Sequence, residues 1–161
     1  MTKDQKLQAF MRHYRDVTGE SDLDMHKVAN LAVRQGWRLP KPIDPLDMLA
    51  KEFSHAAREE IRHDQQTGKP YRANHAYPVQ RGNMTMWLWI DVDIDAPRPK
   101  MLKSLMKRRD QMVGDGLMLS YDADHWNATH PADEPIQIPL DFTDDVEWRK
   151  NAPDDEEEAV S

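Results

Sequence analysis

The sequence predicts an α+β fold in which a mainly helical body carries a β-hairpin. Three observations support this prediction. Apolar residues recur at helical spacing in four segments, one segment alternates between aliphatic and other residues, and the C-terminal segment is acidic. We expect a folded domain over residues 1–130, followed by an extended motif and an acidic disordered tail over residues 131–161.

Composition limits the classes to which the chain can belong. It has 161 residues, of which 39% are hydrophobic and 32% charged. The absence of cysteine excludes disulfides and thiolate zinc sites. We expect no membrane span, because no apolar run approaches about 18 residues. The first residues lack the apolar core of a signal peptide, so we expect a cytoplasmic protein.

The net charge of −7 is unevenly distributed. Residues 1–130 hold 20 basic and 18 acidic residues, whereas residues 131–161 hold 2 basic and 11 acidic residues. The body is therefore close to neutral, and contact with nucleic acid has to come from local basic patches.

Two helices are predicted before residue 40. The first ends at Gly19, and the second ends near Gly36. Their apolar positions are Leu7, Phe10, Met11, Tyr14 and Val17 in the first, and Val28, Leu31 and Ala32 in the second. Candidate N-caps of the second helix are Ser21, Asp22 and Asp24.

A third helix is predicted from Asp44 to about Gln66. Asp44 is suited to the N-cap, Pro45 to the first turn, and Asp47 to the positive end of the helix dipole. One face is apolar and consists of Leu46, Leu49, Ala50, Phe53, Ala57 and Ile61. The opposite face carries Lys51, His55, Arg58 and Arg62.

A β-hairpin is predicted next, with arms at 71–79 and 84–93 around a turn at 80–83. In the second arm, the aliphatic face is expected to form core and consists of Met84, Met86, Leu88, Ile90, Val92 and Ile94. The other face holds Trp87 and Trp89 together with Asp91, Asp93 and Asp95. These tryptophans are either covered by a helix or available to stack on bases.

The order helix, helix, hairpin over residues 20–95 resembles winged helix-turn-helix DNA-binding proteins. The resemblance implies that the third helix enters a groove of duplex DNA and that the hairpin acts as the wing. The implied DNA-binding residues are Lys51, His55, Arg58 and Arg62 on the helix, and Lys69, Arg72 and Arg81 on the hairpin. The alternative is a solvated helix face, in which Glu52 and Glu59 alternate with the basic residues.

A long fourth helix is predicted after Pro97 and Pro99. Its apolar stripe is a candidate homodimer interface and comprises Leu102, Leu105, Met106, Met112, Val113 and Leu117. Lys100, Lys103 and Lys107 lie opposite. Arg109 falls within the stripe and needs an acidic partner, for which the strand aspartates are candidates. Gly114 and Gly116 are expected to kink or break the helix.

Residues 137–142 resemble the short motif by which bacterial proteins dock on the DNA polymerase sliding clamp. The resemblance implies that Leu140 and Phe142 enter an apolar cleft while Gln137 hydrogen-bonds at its rim. The alternative, which we favour, is an edge strand that packs on the body.

Metal chemistry is the third alternative. His55, Glu59 and His63 have i, i+4, i+8 spacing, and Asp122, Asp124, His125 and His130 form a second group. Both are explained more simply by surface residues and helix capping, so we expect no metal and no cofactor.

These patterns favour a small non-enzymatic DNA-binding regulator or accessory protein of a mobile-element or phage-linked system. The alternatives are a protein–protein adaptor that docks through residues 137–142 on a replication clamp, and a metal-dependent enzyme. The acidic tail either screens the basic patches or serves only to solubilise the chain.

Overall fold

The computed structural model describes residues 1–153 and divides the chain into two compact units after Glu52. Within the described residues there are five α-helices and four β-strands. The helices are α1 (Lys3–Thr18), α2 (Met25–Arg34), α3 (Pro45–Glu59), α4 (Arg98–Thr129) and α5 (Thr143–Lys150). The strands are β1 (Ile61–His63), β2 (Pro70–Arg72), β3 (Asn74–Arg81) and β4 (Met84–Asp91). An α+β fold is thereby confirmed, whereas the acidic run 154–158 lies outside the described residues.

The first unit contains the helical pair α1 and α2. Thr2 and Gln5 form a capping box at the start of α1, and Gly19 ends this helix in the left-handed conformation at φ 72°. Asp24 is the N-cap of α2, where its side chain accepts a hydrogen bond from the backbone N–H of His26. The buried core of the pair consists of Phe10, Tyr14, Val28 and Ala32. The predicted apolar stripes of both helices therefore supply this core.

Helix α3 begins as predicted but ends earlier. The side chain of Asp44 accepts from the backbone N–H of Leu46 at 3.1 Å, and Pro45 occupies the first helical position. The predicted end at Gln66 is wrong, because α3 stops at Glu59 and the chain continues into β1. Residues 61–63 pair with β2 instead of continuing the helix. Helical periodicity cannot predict this pairing, because it depends on residues outside the local window. None of the residues of α3 is buried, so its apolar face does not contribute to the buried core.

Two antiparallel hairpins replace the one that was predicted. β1 pairs with β2, and β3 pairs with β4 around a turn at Gly82, where φ is 62°. The two hairpins meet at Ala73, which is fully buried. Its N–H donates to the carbonyl of Glu60 at 3.0 Å, and its carbonyl accepts from the N–H of Val92 at 2.9 Å. The backbone of Ala73 therefore links the two hairpins at their bases through hydrogen bonds.

The expected core face of β4 is not buried. Met84 is 68% exposed, and none of the residues of β4 falls in the buried class. The reason is that α4 packs on β3 rather than on β4, so β4 gains no covering layer near the turn. Ser104 of α4 is 1% exposed, and its hydroxyl donates to the carbonyl of Ala76 at 2.6 Å.

Helix α4 runs without interruption through Gly114 and Gly116, so the predicted break is absent. After α4 the chain turns back along the same helix. The Asn127 amide donates to the carbonyl of Ile136 at 2.9 Å and accepts from its N–H at 2.8 Å. Residues 143–150, which were assigned to the disordered tail, form α5 instead, with Asp144 and Asp145 in its first turn and Arg149 and Lys150 in its last.

Candidate nucleic-acid interface

The second unit contains a cavity of about 220 Å³ between the β3–β4 hairpin, the end of α3 and the middle of α4. We call it the cationic groove. Its charged and aromatic walls are formed by Arg58, Arg72, Trp87, Trp89, Lys107 and Arg108. Its remaining lining is Asn74, His75, Ala76, Ser104 and Gln111.

Strand register places both tryptophans in the groove. Trp87 is opposite Pro78, and Trp89 is opposite Ala76, so the two rings lie on one face of the hairpin. Arg58 lies over the ring of Trp89, with 5.8 Å between its guanidinium carbon and the ring centre. The end of α3 is held here because the Asn74 amide donates to the carbonyl of Ala57 at 3.1 Å.

The cations of α4 are placed by the anchor at Ser104. Lys107 and Arg108 follow it by three and four residues, which brings them to the same side of the helix. On the facing wall, the backbone of Arg72 is fixed by His75. Because a carbonyl oxygen only accepts, Nε2 of His75 carries the proton that it donates to the Arg72 carbonyl at 2.8 Å.

The groove concentrates positive charge without neutralising it. Among residues 1–153 no carboxylate lines the cavity, and none of its four Arg and Lys side chains forms an ion pair with a described carboxylate. Burial lowers the pKa of Arg108, and the nearby charge of Arg72 lowers it further. An anionic ligand would relieve this repulsion.

The DNA-binding residues predicted from the sequence are separated by the fold. Arg58 and Arg72 line the cationic groove. Lys51 and His55 are exposed on α3, Lys69 ends the turn before β2, and Arg81 is exposed beside the β3–β4 turn.

Arg62 is the residue whose predicted placement fails. It lies on β1 rather than on a helix face, and its guanidinium bonds to Glu60, Asp91 and Asp93 at 2.7–3.1 Å. The hydrogen bonds from Arg62 lower the pKa of Asp91 to about 2, and they raise the pKa of Arg62 itself. The hydroxyl of Tyr71 also donates to Asp93 at 2.8 Å. Asp91 and Asp93 thus pair with Arg62 and not, as expected, with Arg109.

Sequence reasoning missed Lys107 and Arg108 as site residues. Two features of the sequence pointed to them. Lys100, Lys103 and Lys107 recur at helical spacing, and the tryptophan face of β4 required a covering element. Neither feature showed that α4 is the covering helix or that its Lys107 and Arg108 face the tryptophans.

The clamp-like segment lies along α4 and forms no strand. Leu140 and Phe142 line a second cavity of about 670 Å³ with apolar residues of α4 and α5, whereas Gln137 lies in a separate pocket beside Asn127. The segment therefore packs on the body as the favoured alternative expected, although without strand pairing. Arg109 and Glu147 stand at the margin of the apolar cavity.

The metal candidates are not brought together. Within residues 1–153 no three His, Cys, Asp or Glu side chains gather as the ligands of an ion would. His63 lies on β1, and the ring of His130 stacks on Trp126 with 4.3 Å between centres.

Among residues 1–153, none of the helices combines the length and the apolar character needed to cross a membrane.

Comparison with protein-family models, with curated proteins and with solved structures found no match to this chain.

Proposed function

We propose that this protein binds nucleic acid through the cationic groove and acts as a non-enzymatic regulator or accessory factor. One observation carries the proposal. Four basic side chains and two tryptophans line a single cavity, and no carboxylate among residues 1–153 shares it. Basic side chains neutralise phosphates, and indole rings offer flat apolar surface to bases, so the two residue types together fit a nucleotide chain.

The charge distribution supports a local rather than a global mode of attraction. The formal net charge is −7, which opposes the approach of a polyanion at long range. Binding therefore has to rely on close contacts in the groove, and we expect an affinity that falls steeply as salt rises.

The test is a titration of labelled mixed-sequence DNA, single-stranded and duplex, at several salt concentrations. We expect Arg72→Ala and Arg108→Ala to weaken binding. The matched control is Arg98→Ala, which removes an exposed arginine at the start of α4 outside the groove. Absence of binding by the unaltered protein to both forms of DNA at low salt would reject the proposal.

The winged-helix mode remains a separate prediction about the same function. It places α3 in the major groove of duplex DNA and requires Lys51 and His55, both of which are exposed. A Lys51→Ala/His55→Ala double variant distinguishes the two modes. Loss of binding in this variant, with normal binding by Arg108→Ala, would favour the winged-helix mode over the groove.

An adaptor role is the second candidate. It is favoured by residues 135–142, which form neither helix nor strand and pair with no strand within the described chain. Docking of Leu140 and Phe142 on a sliding clamp requires their release from α4. Replacement of Gln137, Leu140 and Phe142 by alanine should abolish binding to a purified bacterial clamp and leave DNA binding unchanged.

Homodimer formation through the apolar stripe of α4 also stays a prediction. Parts of the stripe remain uncovered, since Leu105 is 46% and Val113 is 55% exposed. Sedimentation over a range of concentrations tests it, and a monomer at high concentration would exclude it.

A further inference from the structure

The two tryptophans of the cationic groove have different surroundings. Trp89 is partly buried and has Arg58 over its ring. Trp87 lies two residues nearer the turn on the same face and remains 54% exposed, although it lines the same cavity. Its strand partner Pro78 is buried and supports it from the neighbouring strand. Trp87 thus offers an open aromatic surface inside a cationic cavity.

Two cationic side chains lie in the same cavity as the exposed ring of Trp87. Arg72 lies on the hairpin side and Arg108 on the helix side, and both line the cavity that Trp87 enters. Partial burial lowers the pKa of Arg108, and the nearby positive charge of Arg72 lowers it further. A phosphate between them would remove the repulsion and accept hydrogen bonds from both.

The shape of the cavity suits unpaired better than paired nucleic acid. Proteins read duplex DNA by inserting a helix or ribbon into a groove about 12 Å wide, where bases present their edges. The cationic groove is a recess of about 220 Å³ and not a projecting element. A recess with an indole in its wall receives the flat face of a base, and that face is accessible when the base is unstacked.

We propose that the cationic groove binds single-stranded nucleic acid, with a base stacked on Trp87 and the adjoining phosphates held by Arg72 and Arg108. This inference rests on the proposed function and specifies its ligand class. It assigns a specific task to Trp87 that electrostatic attraction alone would not require.

The experiment compares a labelled mixed-sequence DNA strand with the corresponding duplex and with inorganic polyphosphate, using the full chain at one ionic strength. We expect the strand to bind more tightly than the other two. Trp87→Ala should weaken strand binding by about 5- to 150-fold, the range measured when a stacking side chain is removed. Trp87→Phe keeps an aromatic ring and should retain most of the affinity.

The matched control is Trp148→Ala, since Trp148 is 73% exposed on α5 and does not line the groove. This variant should bind like the unaltered protein. Circular dichroism checks that each variant folds. If Trp87→Ala does not fold, Arg72→Ala provides a second test.

The outcomes separate the inference from the function on which it rests. Tighter binding of duplex, equal binding of polyphosphate, or an unchanged affinity of a folded Trp87→Ala protein would overturn the single-strand inference and leave nucleic-acid binding standing. Absence of binding to strand and duplex alike would overturn both.

Discussion

The guanidinium of Arg62 holds the carboxylate of Asp91 through two hydrogen bonds, from Nη1 at 2.8 Å and from Nη2 at 2.7 Å. The pair joins β1 of the first hairpin to the end of β4 in the second. Because the fork of Arg62 is occupied in this way, the residue contributes to the folding of the second unit and not to a free basic surface.

This pair predicts a pH dependence of stability. The folded-state pKa of Asp91 is about 2, below its ordinary value of 3.8, because Arg62 and the backbone N–H of Asp93 stabilise the charged form. The contribution to stability is therefore complete above pH 3.8 and is lost as pH falls towards 2. We expect Asp91→Asn to lower the melting temperature at pH 7, and the gap to the unaltered protein to close below pH 4.

Melting can be followed by tryptophan fluorescence, because four of the five tryptophans lie after Glu52. Asp16→Asn, which removes an exposed carboxylate of α1, serves as the control and should preserve the ordinary pH profile. A constant gap between Asp91→Asn and the unaltered protein from pH 7 to pH 2 would contradict the prediction.

We expect that replacing Arg108 raises the stability of the unliganded protein and weakens its binding to DNA. Partial burial and the charge of Arg72 both disfavour its cationic form in the unliganded protein. Arg108→Met keeps much of the apolar stem and removes the charge, so we expect a higher melting temperature together with weaker DNA binding. The slope of log affinity against log salt should fall in magnitude by about 0.7–0.9 for one lost phosphate contact.

The control for Arg108 is Lys103→Met, on the same helix and outside the groove. It should change neither the melting temperature nor the salt slope appreciably. If Arg108→Met melts below the Lys103→Met protein, the unliganded groove does not hold unrelieved repulsion.

Ser104 is expected to stabilise the packing of α4 on β3. Its hydroxyl is fully enclosed and donates to the Ala76 carbonyl, so Ser104→Ala removes a buried hydrogen bond and leaves that acceptor without its side-chain partner. We expect the free energy of unfolding in urea to fall by about 1–3 kcal/mol. Ser120→Ala, farther along α4, should change it by less than about 0.5 kcal/mol. Equal effects of the two substitutions would show that this contact contributes little.

Asn127 should control access to the clamp-like segment. Its amide is bonded to both backbone groups of Ile136, in the manner of a strand partner. Asn127→Ala should therefore speed hydrogen exchange at the Ile136 amide and increase cleavage of residues 135–142 by protease. His125→Ala changes a neighbouring exposed side chain of α4 and should leave both rates unaltered. Unchanged exchange in Asn127→Ala would mean that apolar contacts of Leu140 and Phe142 suffice to hold the segment.

Removal of residues 154–161 tests whether the acidic tail competes with nucleic acid. The deletion removes five acidic residues and changes the formal net charge from −7 to −2. We expect tighter DNA binding at low salt, with the advantage declining as salt screens the charges. Substitution of the five acids by Asn and Gln keeps the chain length and should reproduce the effect. Identical affinities of the two forms at low salt would show that the tail serves another purpose.

Local patterns were sufficient for the parts of this fold that depend on near neighbours in the chain. The N-cap Asp44, the end of α1 at Gly19 and the turn at Gly82 all follow from side-chain and backbone preferences within four residues, and Asp24 was one of three candidates for the N-cap of α2. The strict alternation of β4 likewise identified Trp87 and Trp89 as one face. These features could be predicted because their causes lie in adjacent residues.

Long-range pairing decided the rest. Helical spacing continued through Arg62, but the pairing of β1 with β2 and the carboxylate of Asp91 fixed that residue in a strand. Similarly, two glycines favoured a break in α4, but the helix is continuous, and residues 135–142 pack along it. Each outcome depends on a partner many residues away, which a local window does not contain.

The sequence by itself determined the α+β class, the end of α1 at Gly19, the start of α3 at Asp44, and the shared face of Trp87 and Trp89 on β4. Tertiary structure alone decided that Arg62 is withdrawn into an ion-pair network and that Lys107 and Arg108 join Arg72 around the tryptophans. The physical reason is that charge and aromatic surface become a site when packing brings them into one cavity and leaves their charges unpaired, and packing depends on contacts between distant segments.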